Sequence, residues 1–342
     1  MSRILARLAV SALIAAALVW WLSSQGFEVI PDLGEIRSEV DWWAVPAYAA
    51  LFSVFHWLRA WRWLYLIRPF ARVPSGAMME SAFTGFLAIQ MMPLRTGEVA
   101  RPYLLDRYAG VSKSALFGTI AIERVVDGLL VSLWLTIALV AVPAESSPYV
   151  WGLRLAPLSI FVAALALLVA FHRRPELVTR ALRRALGLIS GRLADFGAGV
   201  MERFHRGLGA LPDMGCFWRF AGASALYWGI NATAFWVLAR GCGLPLPAAG
   251  AVAGMGVLAV GILLPAGPGY FGNFQMAVLV ALTMYLGDGA RTAGAAVFVF
   301  LLYVLQTGLT IAFGAVGGLL LRRREPARRG GGEPASPDQA TR

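Results

Sequence analysis

Six charged side chains fall where an apolar setting makes charge expensive: Arg95, Glu98 and Arg101 beside a short hydrophobic segment, and Glu123, Arg124 and Asp127 in the apolar run that follows. A helix begun at residue 114 carries Glu123 about 14 Å along its axis at 1.5 Å per residue, and Asp127 is one turn further on the same face. At a bilayer centre each ionisable residue costs roughly 2.5–3.5 kcal/mol on insertion scales, so Glu123, Arg124 and Asp127 would cost about 8–10 kcal/mol without partners. Arg95, Glu98 and Arg101 are the available partners, and the six together sum to zero charge. Two chemistries suit such a set. Guanidinium groups offer paired N–H donors to phosphate oxygens, so the cluster reads as a substrate-binding site for a lipid headgroup. It also reads as a closed salt-bridge network locking the hairpin against helix 114–142, and one network can do both by acting as a gate.

Other chemistry leaves no trace. The sequence carries no GxxxxGK[ST] phosphate loop, no HExxH and no GxSxG. His56, His172 and His205 lie on separate segments, which argues against a metal site. No catalytic residue, metal or cofactor is therefore assigned. The cysteines, Cys216 and Cys242, stand at opposite ends of one expected helix. Roughly 26 residues at 1.5 Å each keep them beyond disulfide reach.

The elements that must position the cluster follow from composition. Of 342 residues, 58% are hydrophobic and 14% charged, which excludes an ordinary soluble domain. Basic residues exceed acidic ones 30 to 19, and all but Lys113 are arginines. They lie between apolar runs and in the tail rather than on one soluble basic face, so the excess reports membrane topology and not a nucleic-acid partner. Apolar runs predict helices at about 4–22, 42–67, 114–142, 151–171, 216–239 and 291–321. The first, after Arg3 and Arg7, lacks an A-x-A cleavage pattern at Ser23-Ser24-Gln25-Gly26 and is taken as a retained helix.

Two shorter runs, 77–92 and 248–264, each end in a proline and a glycine-containing loop, Pro93-Leu94-Arg95-Thr96-Gly97 and Pro265-Ala266-Gly267-Pro268-Gly269. The recurrence of P-x-x-x-G after equivalent segments suggests a duplicated unit. Loop charge then traces the path: Arg3 and Arg7 inside; Glu28, Asp32, Glu35, Glu39 and Asp41 outside; Arg68 and Arg72 inside. The segment 172–215, with eight arginines against four acidic residues, is inside, as is the tail from Arg322. Segment 77–113 must then enter and leave from the cytoplasmic side, and 246–288 from the outside. The expected fold is an all-α integral membrane protein of about six spanning helices plus two re-entrant hairpins, in two inverted repeats; eight spanning helices is the alternative. One transmembrane domain covers 1–321, with repeat 1 at about 1–142, repeat 2 at about 151–321 and a basic cytoplasmic segment at 172–215, before a disordered tail at 322–342. Both termini lie in the cytoplasm of a bacterial inner-membrane protein. Residues 175–212, with arginines and leucines at helical spacing, suit either a helix on an anionic leaflet or a solvated loop.

Several residues have plainer expected roles. Arg59 and Arg62, near the cytoplasmic end of helix 42–67 among Trp57, Trp61, Trp63 and Tyr65, read as snorkelling arginines at an aromatic interface. Gly250-x-x-x-Gly254 and Gly314-x-x-x-Gly318 read as close helix packing within the chain, and Asn231 and Gln306 as interhelical hydrogen-bonding residues.

The run P-L-R-x-G-E-x-x-R-x-x-L-L from Pro93, with E-R-x-x-D at Glu123 to Asp127, resembles the lysylphosphatidylglycerol synthase transmembrane-region family, also called flippase-like integral membrane proteins. The loop Pro265 to Gly272 is similar to that family's P-x-x-P-G-G-x-G, with Tyr270 where a second glycine is usual and Gln275 where a glutamate is usual. The resemblance implies transbilayer movement of an anionic phospholipid or polyprenyl-linked lipid. With no ATP motif in the sequence, energy would come from a proton or ion gradient or from downhill transfer, and no enzymatic role is expected. The Arg95, Arg101 and Arg124 guanidiniums would meet the headgroup, while Pro93, Gly97, Pro265, Gly267, Gly269, Gly272 and Gln275 would shape or move the hairpins. No aminoacyltransferase domain follows the hydrophobic part. Membrane lipids are the expected partners, with a homo-oligomer as an option. The rival expectations are a membrane transferase or phosphatase acting on a lipid phosphate through Glu98, Glu123 or Asp127, and a non-transporting accessory protein of envelope lipid assembly.

Overall fold

The computed structural model describes residues 26–92, 97–140, 150–187, 214–264 and 267–326, with short stretches within 13–24 and at 190–191. The loop tips holding Pro93, Arg95 and Pro265, most of the expected first helix, most of segment 188–213 and the tail from residue 327 lie outside the described residues. The described residues form helices and no strand.

In chain order the helices are α1 Leu33–Glu39, α2 Ala44–Trp61, α3 Trp63–Ile67, α4 Ser75–Met91, α5 Ala100–Ala109, α6 Lys113–Leu139, α7 Val150–Arg173, α8 Pro175–Gly187, α9 Met214–Gly241, α10 Ala248–Gly261, α11 Asn273–Leu286 and α12 Ala293–Arg322. The expected helix 42–67 is divided at Arg62, whose backbone stays near helical values. Helices α6, α7, α9 and α12 run 24 to 30 residues. At 1.5 Å per residue that is about 36–45 Å, enough to cross a hydrocarbon layer of about 30 Å. Only α12 meets the test of length and apolar content together among the described residues. In α6 the failure has a visible cause, since Glu123, Arg124 and Asp127 interrupt its apolar run.

The short helices form two hairpins. Helices α10 and α11 have 14 residues each, or about 21 Å. Helix α10 stops ahead of Pro265, because the residue before a proline avoids the helical region. Both arms sit at one end of the bundle: α9 finishes where Asp41 N–H donates to Gly241 O at 2.7 Å, and a side chain on Gly294, at the start of α12, would meet Cys242 O. The chain thus leaves that end at α10 and returns to it after α11. The other hairpin, α4 and α5, starts and finishes at the opposite end, where Val111, Phe70, Val73 and Phe217 share one apolar cluster.

Packing crosses between the two halves of the chain. Helix α4 lies along α12, α10 along α6, and α2 along α9. Glycines permit close approach: a side chain on Gly314 would strike Leu87 of α4, one on Gly256 would meet Leu135 of α6, and one on Gly254 would meet Phe235 of α9 at 2.5 Å. Both small-residue spacings therefore serve contacts inside the chain. The main apolar core accordingly draws on both halves, from Phe52 and Leu135 to Phe235 and Phe298.

Candidate functional site

Helix α6 carries Glu123 and Asp127 into the bundle together with Arg124, and two other elements bring cations to them. Arg62, at the break between α2 and α3, donates from Nη1 and Nη2 to the two carboxylate oxygens of Asp127, each at 2.6 Å. Its Nη1 also reaches Ser224 Oγ at 2.6 Å, and Trp228 Nε1 donates to Asp127 Oδ1 at 3.2 Å, so α9 closes the same site. Arg101, on α5, binds Glu123 through both terminal nitrogens at 3.1 and 3.0 Å. Arg124 Nη2 donates to Glu123 Oε1 at 2.7 Å, and Arg62 Nη2 lies 3.4 Å from the same oxygen. Paired N–H donors on each carboxylate provide the compensation that buried ions require.

Aromatic faces complete the enclosure. The Arg62 guanidinium lies 4.4 Å from the Tyr227 ring centre, and that of Arg101 lies 4.2 Å from Trp63. Trp63 Nε1 in turn donates to Thr119 Oγ1 at 2.9 Å. Gly85 lets Arg101 pass, since any side chain there would occupy the space of the Arg101 stem.

Arg62 is the residue that sequence reasoning misplaced. It does not snorkel toward an interface; it is completely buried and grips Asp127. Charge counting gave no signal for it, because the six grouped residues already summed to zero. With the tip of the first hairpin outside the described residues, Arg95 has no described position.

In front of this network lies a cavity of about 370 Å³ between the two hairpins. Arg59, Glu98, Arg124 and Asp127 reach its wall, whereas Arg62, Arg101 and Glu123 stand behind it. Asn231 and Gln306 also line the cavity. Gly128 and Phe161 form another part of the wall, where the ring fills the space a side chain at 128 would need.

The hairpin ends meet at this cavity. Tyr270, in the turn of the second hairpin, donates its hydroxyl to Ile89 O at the end of α4, 3.0 Å away. Its backbone has φ 59°, a left-handed value uncommon for a residue with a side chain and natural for a glycine. Gly269 and Gly272 flank it at φ 74° and 88°. Gln275 Oε1 accepts from Gly272 N–H at 2.8 Å, capping the first turn of α11. Gly267 is buried in extended backbone just before the turn. On the first hairpin, Gly97 presses against the backbone of Ala88, where any side chain would overlap the carbonyl.

Away from the cavity lining, Arg324, just past α12, holds Glu80 of α4 through Nη2 and Oε1 at 2.8 Å, with a second contact from Nε. The hydrogen bond to Glu80 raises the Arg324 pKa above its ordinary value.

An all-helical chain that buries an ion network within apolar helices, beside a polar cavity, defines the class: a membrane protein with an interior polar site. The chain belongs to the family described as lysylphosphatidylglycerol synthase TM region, whose model matches residues 4–329. No curated protein matches the chain. Family membership gives it a membrane setting and a role connected with membrane lipid.

Proposed function

We propose that this chain moves an anionic phospholipid or polyprenyl-linked lipid across the bilayer, with the headgroup passing through the cavity between the hairpins and the acyl chains remaining in lipid. The observation that carries this reading is the cavity itself: arginines reach its wall, and its two sides belong to hairpins that begin at opposite ends of the bundle. Short helices that end ahead of Pro and Gly are the elements by which inverted-repeat transporters build a midplane site. The mirrored pairing of α4 with α12 and of α10 with α6 supports two inverted repeats, about 1–142 and 151–321, with re-entrant hairpins between spanning helices. By loop charge both termini face the cytoplasm of an inner membrane.

A transport role agrees better with the cluster than an enzymatic one. A general acid or base needs a carboxyl free to exchange a proton, and Glu123 and Asp127 are each gripped by guanidinium groups. The test is reconstitution into liposomes carrying fluorescent lipids. Transbilayer movement of intact lipid is the expected result. Covalently altered lipid on mass spectrometry, or no movement of any anionic lipid, would sink the reading.

A further inference from the structure

Segment 175–212 admits, from its sequence, either a surface helix or a solvated loop, and its first part folds as α8, Pro175–Gly187. Helix α7 does not run straight into it, because Arg174 precedes a proline and such a residue avoids the helical region. Arg174 N–H donates to Ala170 O at 2.8 Å, closing α7, and Leu177 N–H donates to Arg174 O at 3.2 Å, opening α8 beyond the corner. At 13 residues α8 is about 20 Å long.

Its residues divide the helix lengthwise. At about 3.6 residues per turn, Leu177, Val178, Leu182 and Leu186 fall on one half, while Thr179, Arg180, Arg183 and Arg184 fall on the other. No other described helix of ten or more residues separates polar from apolar residues so sharply. From Arg173 to Gly187 five arginines stand against Glu176, an excess of four positive charges. All five arginines are exposed, and Leu177, on the apolar half, is 49% exposed. Among the described helices, the only substantial packing of α8 is on α7.

Three settings could receive such a helix. Water would leave the apolar half uncovered, and the bilayer interior would bury the arginines. The boundary between them suits both halves, with apolar side chains at the acyl region and guanidiniums among headgroup phosphates. Position favours a lipid surface over a protein partner. Arg174 alone separates α8 from α7, a helix of 24 residues and so long enough to cross, which starts α8 at the level where the bilayer ends. By loop charge this end faces the cytoplasm, where the leaflet is anionic.

We propose that α8 lies in the plane of the anionic leaflet as a docking surface separate from the cavity, its apolar half inserted at the acyl boundary and Arg180, Arg183 and Arg184 on lipid phosphates. Helix α7 packs mainly on α6 and α8, and its Phe161 forms part of the cavity wall, so the leaflet that holds α8 also steadies that wall. The docking stands whether or not the chain moves lipid.

The test is hydrogen exchange of the full chain in nanodiscs of phosphatidylcholine alone and of phosphatidylcholine mixed with phosphatidylserine. Amides of α8 should exchange about tenfold more slowly in the anionic discs, since each basic residue near an anionic surface is worth roughly fivefold in binding. Those in the last turn of α7 should slow with them. Combining Arg180→Gln, Arg183→Gln and Arg184→Gln should abolish the difference between the two lipids, whereas Arg180→Lys, Arg183→Lys and Arg184→Lys together should keep most of it. Leu177→Asn with Leu186→Asn should remove the protection with every arginine in place, which a purely electrostatic contact would not do. Equal exchange of the native chain in the two lipids would overturn the proposal, pointing to cover by the chain itself. A lipid-dependent difference that survives in the folded triple glutamine variant would overturn it too, as would full protection in the double leucine variant. The readout is the α8 amides themselves, so phosphatidylserine held elsewhere on the chain does not imitate the expected pattern of losses.

Discussion

Arg62 and Asp127, 65 residues apart in sequence, form a two-pronged ion pair with both N···O distances at 2.6 Å. The pair ties the α2–α3 junction to α6, and Ser224 and Trp228 tie it to α9. A buried pair adds little net stability over an apolar replacement, yet removing one partner strands a charge and costs about 3–5 kcal/mol. Arg62→Ala should therefore lower the thermal unfolding midpoint in detergent sharply. The double variant Arg62→Met with Asp127→Leu should recover most of that loss. If the double variant unfolds as early as the single one, the pair is not what holds α2, α6 and α9 in register.

Tyr270 joins the two hairpins at their ends, at the cost of a left-handed backbone. Tyr270→Phe keeps the ring and the backbone while deleting the donor to Ile89 O, so a stability loss of about 0.5–1.5 kcal/mol is expected. Hydrogen exchange of the amides at the end of α4 should quicken in step. Tyr270→Gly removes the contact and also relieves the backbone, worth roughly 1–2 kcal/mol for a residue held in the left-handed region. It should be more stable than expected from the lost contact alone while showing the same fast exchange. Unchanged exchange in both variants would show that the hairpins are held together elsewhere.

What the sequence revealed and concealed follows one rule. Charge deep inside an apolar run is legible because its cost is large and local, and this is how Glu123, Arg124, Asp127 and Arg101 could be grouped before any coordinates. The ends of α4 and α10 were legible for a similar reason, since Pro and Gly end helices wherever they occur. Arg59 and Arg62 were hidden because an arginine near a helix end has a cheap alternative, reaching outward to water. Only the three-dimensional crossing of α2 with α9, which depends on contacts far apart in sequence, turns both side chains inward. Asn231 and Gln306 were hidden likewise, for a polar side chain in an apolar helix is served equally by a neighbouring helix or by a cavity.

Gln275 is 1% exposed, and its carboxamide oxygen accepts from Gly272 N–H at 2.8 Å. Two roles for the position make different predictions. As a helix cap it needs only an oxygen acceptor, and a carboxylate would serve, because backbone N–H groups and the positive end of the helix dipole favour negative charge there. Gln275→Glu should then keep the unfolding midpoint close to that of the native chain at neutral pH. Gln275→Met fills the same space without an acceptor and leaves Gly272 N–H unsatisfied in a buried setting, a loss of about 1–3 kcal/mol. The order native, glutamate, then methionine with a clear gap before the last is the expected result in a thermal melt. Should glutamate prove as damaging as methionine, the cap is not the function of the position, and the neutral amide would itself be the requirement.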